Sequence, residues 1–112
     1  MNIITLKSKI SYAKITDSNL FYEGSITIPI DMLEKANIAP NEQVHVVNVN
    51  NGERLITYAI EGERGSQEYK LNGPAARKGL IGDEVIIISY ASIDPEKEHI
   101  NPVVIDLKHH DH

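Results

Sequence analysis

The chain contains no cysteine, no tryptophan and a single phenylalanine, Phe21. Without cysteine there is no disulfide framework, no thiolate zinc site and no cysteine nucleophile, so any metal would have to rest on histidines and carboxylates. Positive charge is also scarce: 11 Lys plus Arg stand against 16 acidic residues, for a net charge of −5. The cations are scattered, which argues against the concentrated basic surface that nucleic acid requires. No apolar run approaches membrane-spanning length. Met1 to Ile10 carries Lys7 and Lys9 but no continuous apolar stretch of signal-peptide length, so the sequence predicts a cytoplasmic protein with no membrane partner. Its partners are expected to be small molecules or other copies of itself. The 112 residues form one domain, 1–112, long enough to bury roughly two-thirds of the surface the unfolded chain exposes.

What is present is a series of short alternating or apolar runs, punctuated by Gly, Pro and Asn about every ten residues, which predicts a mainly β fold, a small barrel with short helices. Ile26, Ile28 and Ile30 alternate with Thr27 and Pro29 as in a half-buried strand, so Ser25 falls at a strand start. Asp31 followed three residues later by Glu34 predicts an N-cap and a helix of about two turns. Val44 to Val49, then Asn50-Asn51-Gly52, then Leu55 to Ile60 predicts a hairpin. Asn72-Gly73-Pro74 through Gly79 predicts a second short helix, with proline at its first turn and glycine just past its end. Val85 to Ile88 reads as a strand covered on both faces. Asn41-Glu42-Gln43-Val44 echoes Gly82-Asp83-Glu84-Val85, but the match covers too few positions to establish a duplication from sequence.

Several segments taken together carry a resemblance: Leu6-Lys7-Ser8-Lys9-Ile10, Glu23-Gly24-Ser25, Thr57-Tyr58-Ala59-Ile60, Asn72-Gly73 and Gly82 to Ile87. In order and spacing they resemble the pyruvoyl-dependent aspartate 1-decarboxylases, along nearly the whole chain. The resemblance implies a double-psi β-barrel, a homotetramer with sites between subunits, and decarboxylation of L-aspartate to β-alanine for pantothenate and coenzyme A synthesis. It also implies self-cleavage between Gly24 and Ser25, giving chains 1–24 and 25–112. The cofactor would then be a covalently bound pyruvoyl group derived from Ser25, with no metal or external cofactor.

The chemistry asks for these residue types. A serine hydroxyl attacks the preceding carbonyl, an N-to-O acyl shift gives an ester, and elimination with hydrolysis leaves pyruvoyl and ammonia. Glycine at 24 leaves that carbonyl open. A pyruvoyl ketone forms a Schiff base with an amino acid and takes up the electrons left by departing carbon dioxide.

The resemblance further gives Tyr58 as proton donor, a role that suits a phenol protonated at neutral pH, and Thr57 as the hydroxyl that holds the cleavage intermediate's oxygen. Lys9 and Arg54 would contact the two substrate carboxylates. Asn72, Gly73, Pro74 and Ala75 would frame the site, with Tyr22 near the cut. Two tensions stand. Neighbouring residues of a flat strand face opposite ways, so Thr57 and Tyr58 cannot share one pocket without a bulge, strong twist or a pocket at the strand edge. Pro74 replaces the family's usual alanine and offers no N–H. Histidines 109, 110 and 112 are expected in a frayed terminus, and His45 and His99 have no assigned role.

Overall fold

The computed structural model describes residues 1–19 and 24–108. Tyr22 and the histidines at 109, 110 and 112 lie outside the described residues. Seven strands are present: β1 (Ile3–Asn19), β2 (Ser25–Pro29), β3 (Gln43–Asn48), β4 (Arg54–Gly62), β5 (Tyr69–Asn72), β6 (Glu84–Ile93) and β7 (Val103–Asp106). One α-helix, α1 (Ile30–Ala36), follows β2, and a 3₁₀ helix (Gly73–Lys78) follows β5. The strand order is β5-β2-β4-β3-β6-β1-β7, and β5 also pairs with β1. Six strands therefore close into a ring, with β7 added outside β1, so among the described residues the barrel has no free edge except at β7.

β1 closes the ring by serving two neighbourhoods. Its first half pairs with β6 and β7, and its end pairs with β5, the change of direction being made by bulges, one of which carries Tyr12 at φ 64°. Alternation sorts the side chains. Ile10, Ile26, Ile28, Val44, Val46, Val85 and Ile87 are almost wholly buried, and Tyr69 is the one aromatic ring in the described core. A core nearly free of aromatics is filled by β-branched residues, which suit pleated strands.

The sequence echo is a structural repeat. Asn41 and Gly82 both have positive φ, at 72° and 94°. Asn41 N–H donates to Ala59 O at 2.7 Å, and Ala59 N–H donates back to Glu42 O at 2.9 Å. In the second copy Gly82 N–H donates to Ile15 O and Ile15 N–H to Asp83 O, both at 2.8 Å. A carboxylate locks each turn: Glu42 Oε1 accepts Ala39 N–H and Asp83 Oδ2 accepts Leu80 N–H, each at 3.0 Å.

Two local expectations need correction. Asp31 is not the N-cap of α1, because Pro29 holds that position and no side chain caps the helix. Asp31 Oδ1 instead accepts Gly65 N–H at 2.9 Å, while Glu34 takes both Arg64 nitrogens, so the predicted capping pair clamps the 64–65 turn. Gly79 ends a 3₁₀ turn in extended conformation rather than in the left-handed one. Glycine there spares its neighbours a shift, since a Cβ would lie 2.8 Å from Leu71 Cδ1 and 3.2 Å from Asn48 Nδ2.

The two turn-locking carboxylates titrate below the ordinary range. Burial pushes Glu42 upward, but hydrogen bonds from Lys7, Ser89 and the Ala39 amide outweigh it. Asp83 is held down by the Leu80 amide and then by Asn48. A depressed carboxylate contributes stability above its unfolded pKa that is lost as pH falls through the folded one. Urea midpoints should therefore fall as pH drops below ~4, and the fall should be shallower in Glu42→Gln and Asp83→Asn. An unchanged slope in both variants would remove the carboxylates from the account.

Candidate active site

Ser25 opens β2 opposite Asn72 on antiparallel β5, and Asn72 is also the register partner of Asn19 on β1. Ser25 is 2% exposed and Asn72 6%. The Asn72 amide nitrogen donates to Ser25 Oγ at 3.0 Å and to Thr27 Oγ1 at 2.9 Å, so its two hydrogens hold two hydroxyls on one face of the sheet. A cavity of about 510 Å³ lies over that face. β1 gives it Asp17 and Asn19, β2 gives Ser25 and Thr27, β4 gives Tyr58 and Ile60, and β5 gives Lys70 and Asn72.

A larger hollow, about 720 Å³, lies on the other side of β5, where Tyr69 faces Tyr12, Lys14 and Asp31. It contains none of the residues predicted for chemistry. Burial, and then Asp31, push the Tyr69 phenol up to about 12. The smaller cavity is the one with a buried nucleophile, a phenol and a carboxamide brought together.

The whole chain, residues 1–112, matches the protein-family model described as aspartate decarboxylase. The chain belongs to the aspartate decarboxylase family. It is 60% identical over 111 residues to the aspartate 1-decarboxylase of Coxiella burnetii strain RSA 493 / Nine Mile phase I, covering 99% of this chain and 100% of that one. It is 58% identical to the aspartate 1-decarboxylase of Francisella tularensis subsp. holarctica strain OSU18, covering 96% and 97%. Against that of Maricaulis maris strain MCS10 the identity is 48%, covering 98% and 92%. Among solved structures, the rationally designed mkDPBB_sym2 protein superposes with a TM-score of 0.52 at 10% identity, over 78% of this chain and 96% of that one. The fold is a double-psi β-barrel, as the sequence resemblance implied.

In this aspartate decarboxylase chain the predicted residues fall into separate groups. Ser25, Tyr58 and Asn72 share the cavity. Gly24 packs against the 3₁₀ helix, where Pro74 Cδ lies 3.6 Å from the position a Cβ on Gly24 would take. Gly73 and Ala75 are buried in the same turn, and Gly73 has φ 64°. Thr57 does not line the cavity: the β3–β4 register is regular, and Thr57 pairs with core residue Val44 while Tyr58 pairs with exposed Gln43. Lys9 and Arg54 are not brought to Ser25 within one chain. They lie further round the outer face of the barrel, where Lys9 is level with Ile88, His45 and Ile56, and where Arg54, on the face of β4 that carries Tyr58 but four residues before it, has Nη1 3.3 Å from His45 Nδ1.

Asp17, Asn19, Thr27, Ile60 and Lys70 were not predicted from sequence. The two-residue period of a strand was the available signal for Lys70, since it places residue 70 on the face of Asn72. In a Ser25→Ala background, where chain cleavage does not intervene, Asn72→Ala would leave the Thr27 hydroxyl without its donor and should lower stability by about 1–3 kcal/mol in urea unfolding. A loss below the error of the measurement would show that the amide does not hold the site.

Proposed function

We propose that this chain is a self-processing aspartate 1-decarboxylase, which cuts itself between Gly24 and Ser25 into chains 1–24 and 25–112 and then converts L-aspartate to β-alanine and carbon dioxide. One observation carries the reading: Ser25 is a buried strand-opening serine, held by Asn72, at the wall of a cavity that also contains Tyr58. The residues fit a pyruvoyl group at position 25, because the preceding glycine has no side chain to obstruct its carbonyl and the cavity adjoins the same strand start. Such a group, once made, supplies a ketone that captures the substrate amine and an electron sink for decarboxylation, so no metal or external cofactor is needed. The product is the β-amino acid required for pantothenate and coenzyme A synthesis in the cytoplasm.

The chain's own residues divide the work. Extending the parallel β2–β4 register, in which Ile26 is level with Ala59, sets Ser25 beside Tyr58 and Gly24 beside Thr57. This supports separate tasks for the two neighbours: Thr57 attends the Gly24 carbonyl during cleavage, and Tyr58 delivers a proton on the cavity side after carbon dioxide has left. They need not share a pocket, and no bulge is needed.

Lys9 and Arg54 enter the reading through assembly. Lys9 lies on the stretch of β1 paired with β6 and β7, eight positions before Asp17, and does not line the cavity, which supports its reaching a Ser25 cavity from a second copy. The face that carries Lys9 and Arg54 is apolar and partly exposed, with Ile56, Tyr90 and Val104 open to solvent. That supports a homotetramer with sites between subunits, in which this face is covered.

Intact-mass measurement of purified protein after warm incubation tests the reading. Wild type should give two fragments divided after Gly24, and Ser25→Ala should give one full-length species. A wild-type chain that never divides would leave a non-catalytic barrel. Tyr58→Phe should still divide but lose about a hundredfold or more in kcat, the range for one general acid. Full turnover in that variant would remove Tyr58 as the proton donor.

A further inference from the structure

We propose that Thr27 is a positioning residue for the cleavage at Gly24-Ser25: its hydroxyl fixes the plane of the Asn72 carboxamide, which in turn confines Ser25 Oγ to one rotamer for its attack on the Gly24 carbonyl. This inference rests on the reading of Gly24-Ser25 as the bond that divides.

The need for a second anchor comes from the amide itself. A carboxamide turns about a broad terminal torsion, so one hydrogen bond to Ser25 would leave the Asn72 side chain able to swing. Its second hydrogen prevents that. Asn72 stands opposite Ser25 in the β2–β5 register, Thr27 is two residues further along the same face of β2, and Nδ2 reaches both hydroxyls, Ser25 Oγ at 3.0 Å and Thr27 Oγ1 at 2.9 Å. Ser25 and Asn72 are buried and Thr27 is half-buried, so little solvent competes for either bond.

Thr27 is itself held from β4. It is level with Ile60 in the parallel β2–β4 register, and a Cβ on Gly62, two residues beyond Ile60, would lie 2.9 Å from Thr27 Cγ2. The methyl occupies the space that glycine leaves. Cγ2 and Oγ1 share one Cβ whose χ1 is stiff, so seating the methyl against Gly62 also directs the hydroxyl at Asn72. Gly62, Thr27, Asn72 and Ser25 thus form one chain of contacts across β4, β2 and β5. The chemistry needs such a restraint. Ser25 Oγ bonds to the carbonyl carbon of Gly24, the C–N bond between the two residues breaks, and the hydroxyl proton ends on the freed Ser25 nitrogen. A hydroxyl that samples all its staggered positions spends most of its time away from any one of them, and confinement raises the fraction in the reactive one.

The test is a time course of intact mass on freshly purified full-length wild type, Thr27→Val, Thr27→Ser, Asn72→Ala and the double variant Asn72→Ala/Thr27→Val, with the fold of each checked by urea unfolding in a Ser25→Ala background. Thr27→Val keeps the shape of the side chain and removes its hydroxyl, and should slow division after Gly24 about five- to tenfold, the worth of one hydrogen bond. Thr27→Ser keeps the hydroxyl without the methyl and should fall between Thr27→Val and wild type. The double variant should divide no more slowly than Asn72→Ala, because Thr27 acts through the carboxamide, whereas a merely structural threonine would add its own loss. A Thr27→Val chain that divides within about twofold of wild type or faster, a Thr27→Ser chain no faster than Thr27→Val, or additive losses in the double variant would overturn the assignment while leaving the decarboxylase reading intact. A wild-type chain that never divides would overturn both.

Discussion

The barrel depends on two turns in which a carboxylate folds back on its own backbone. Glu42 and Asp83 each accept an amide three residues earlier, and each turn then exchanges two backbone hydrogen bonds with a strand that is distant in sequence, at Ala59 and at Ile15. These bonds tie the entrances of β3 and β6 to β4 and β1. Since β4 and β1 are the strands that leave one neighbourhood and join the other, the turns fix the two transfers by which the sheet closes. The surroundings distinguish the copies. Glu42 is also held by Lys7 and Ser89, whereas Asp83 is held by Asn48, which in turn reaches Lys78 O.

That constraint has a functional consequence through β4. Ala59, gripped from both sides by the first turn, adjoins Tyr58, and on its other edge β4 lies parallel to β2 at the Ser25 end. The position of the phenol relative to the serine is set by backbone bonds on both edges of one strand, to the 41–42 turn on one edge and to β2 on the other. A site built on ladder hydrogen bonds is pre-organised, which matters where a proton must be delivered to one atom of a short-lived carbanion.

Much of this was legible in the residues and some of it was not. The β3–β4 hairpin and the strand at Ser25 followed from alternation and turn composition, because those signals are local. The Asp31–Glu34 pattern misled because a capping motif is defined by its neighbours in sequence, while the Asp31 carboxylate found the amide of Gly65 across the fold. The repeated turns were visible only as a faint echo, since their equivalence lies in φ angles and backbone bonds that Asn41 and Gly82 satisfy with different side chains. Lys70 and Asp17 were missed for a related reason. Each is an ordinary charged residue until the β1–β5 and β2–β5 registers place it on the wall that holds Ser25.

The chain contains an internal comparison for Gly24-Ser25, the pair we propose to be self-cleaving. Gly65-Ser66 has the same two residues, yet Gly65 is an exposed turn residue at φ 76°, Ser66 N–H donates to Glu63 O, and Ser66 Oγ accepts Glu68 N–H at 3.3 Å. That hydroxyl serves a local turn on a half-buried residue. Ser25 Oγ is buried and held by a carboxamide from another strand, next to a glycine packed against Pro74. The composition of the dipeptide is identical, so the cleavage we propose at residue 25 would draw on burial and on the donor at Asn72. Solvent competes for an exposed hydroxyl and lets it rotate, whereas a buried, hydrogen-bonded one is confined. A barrel closed by two locked turns provides that burial at residue 25 and not at residue 66.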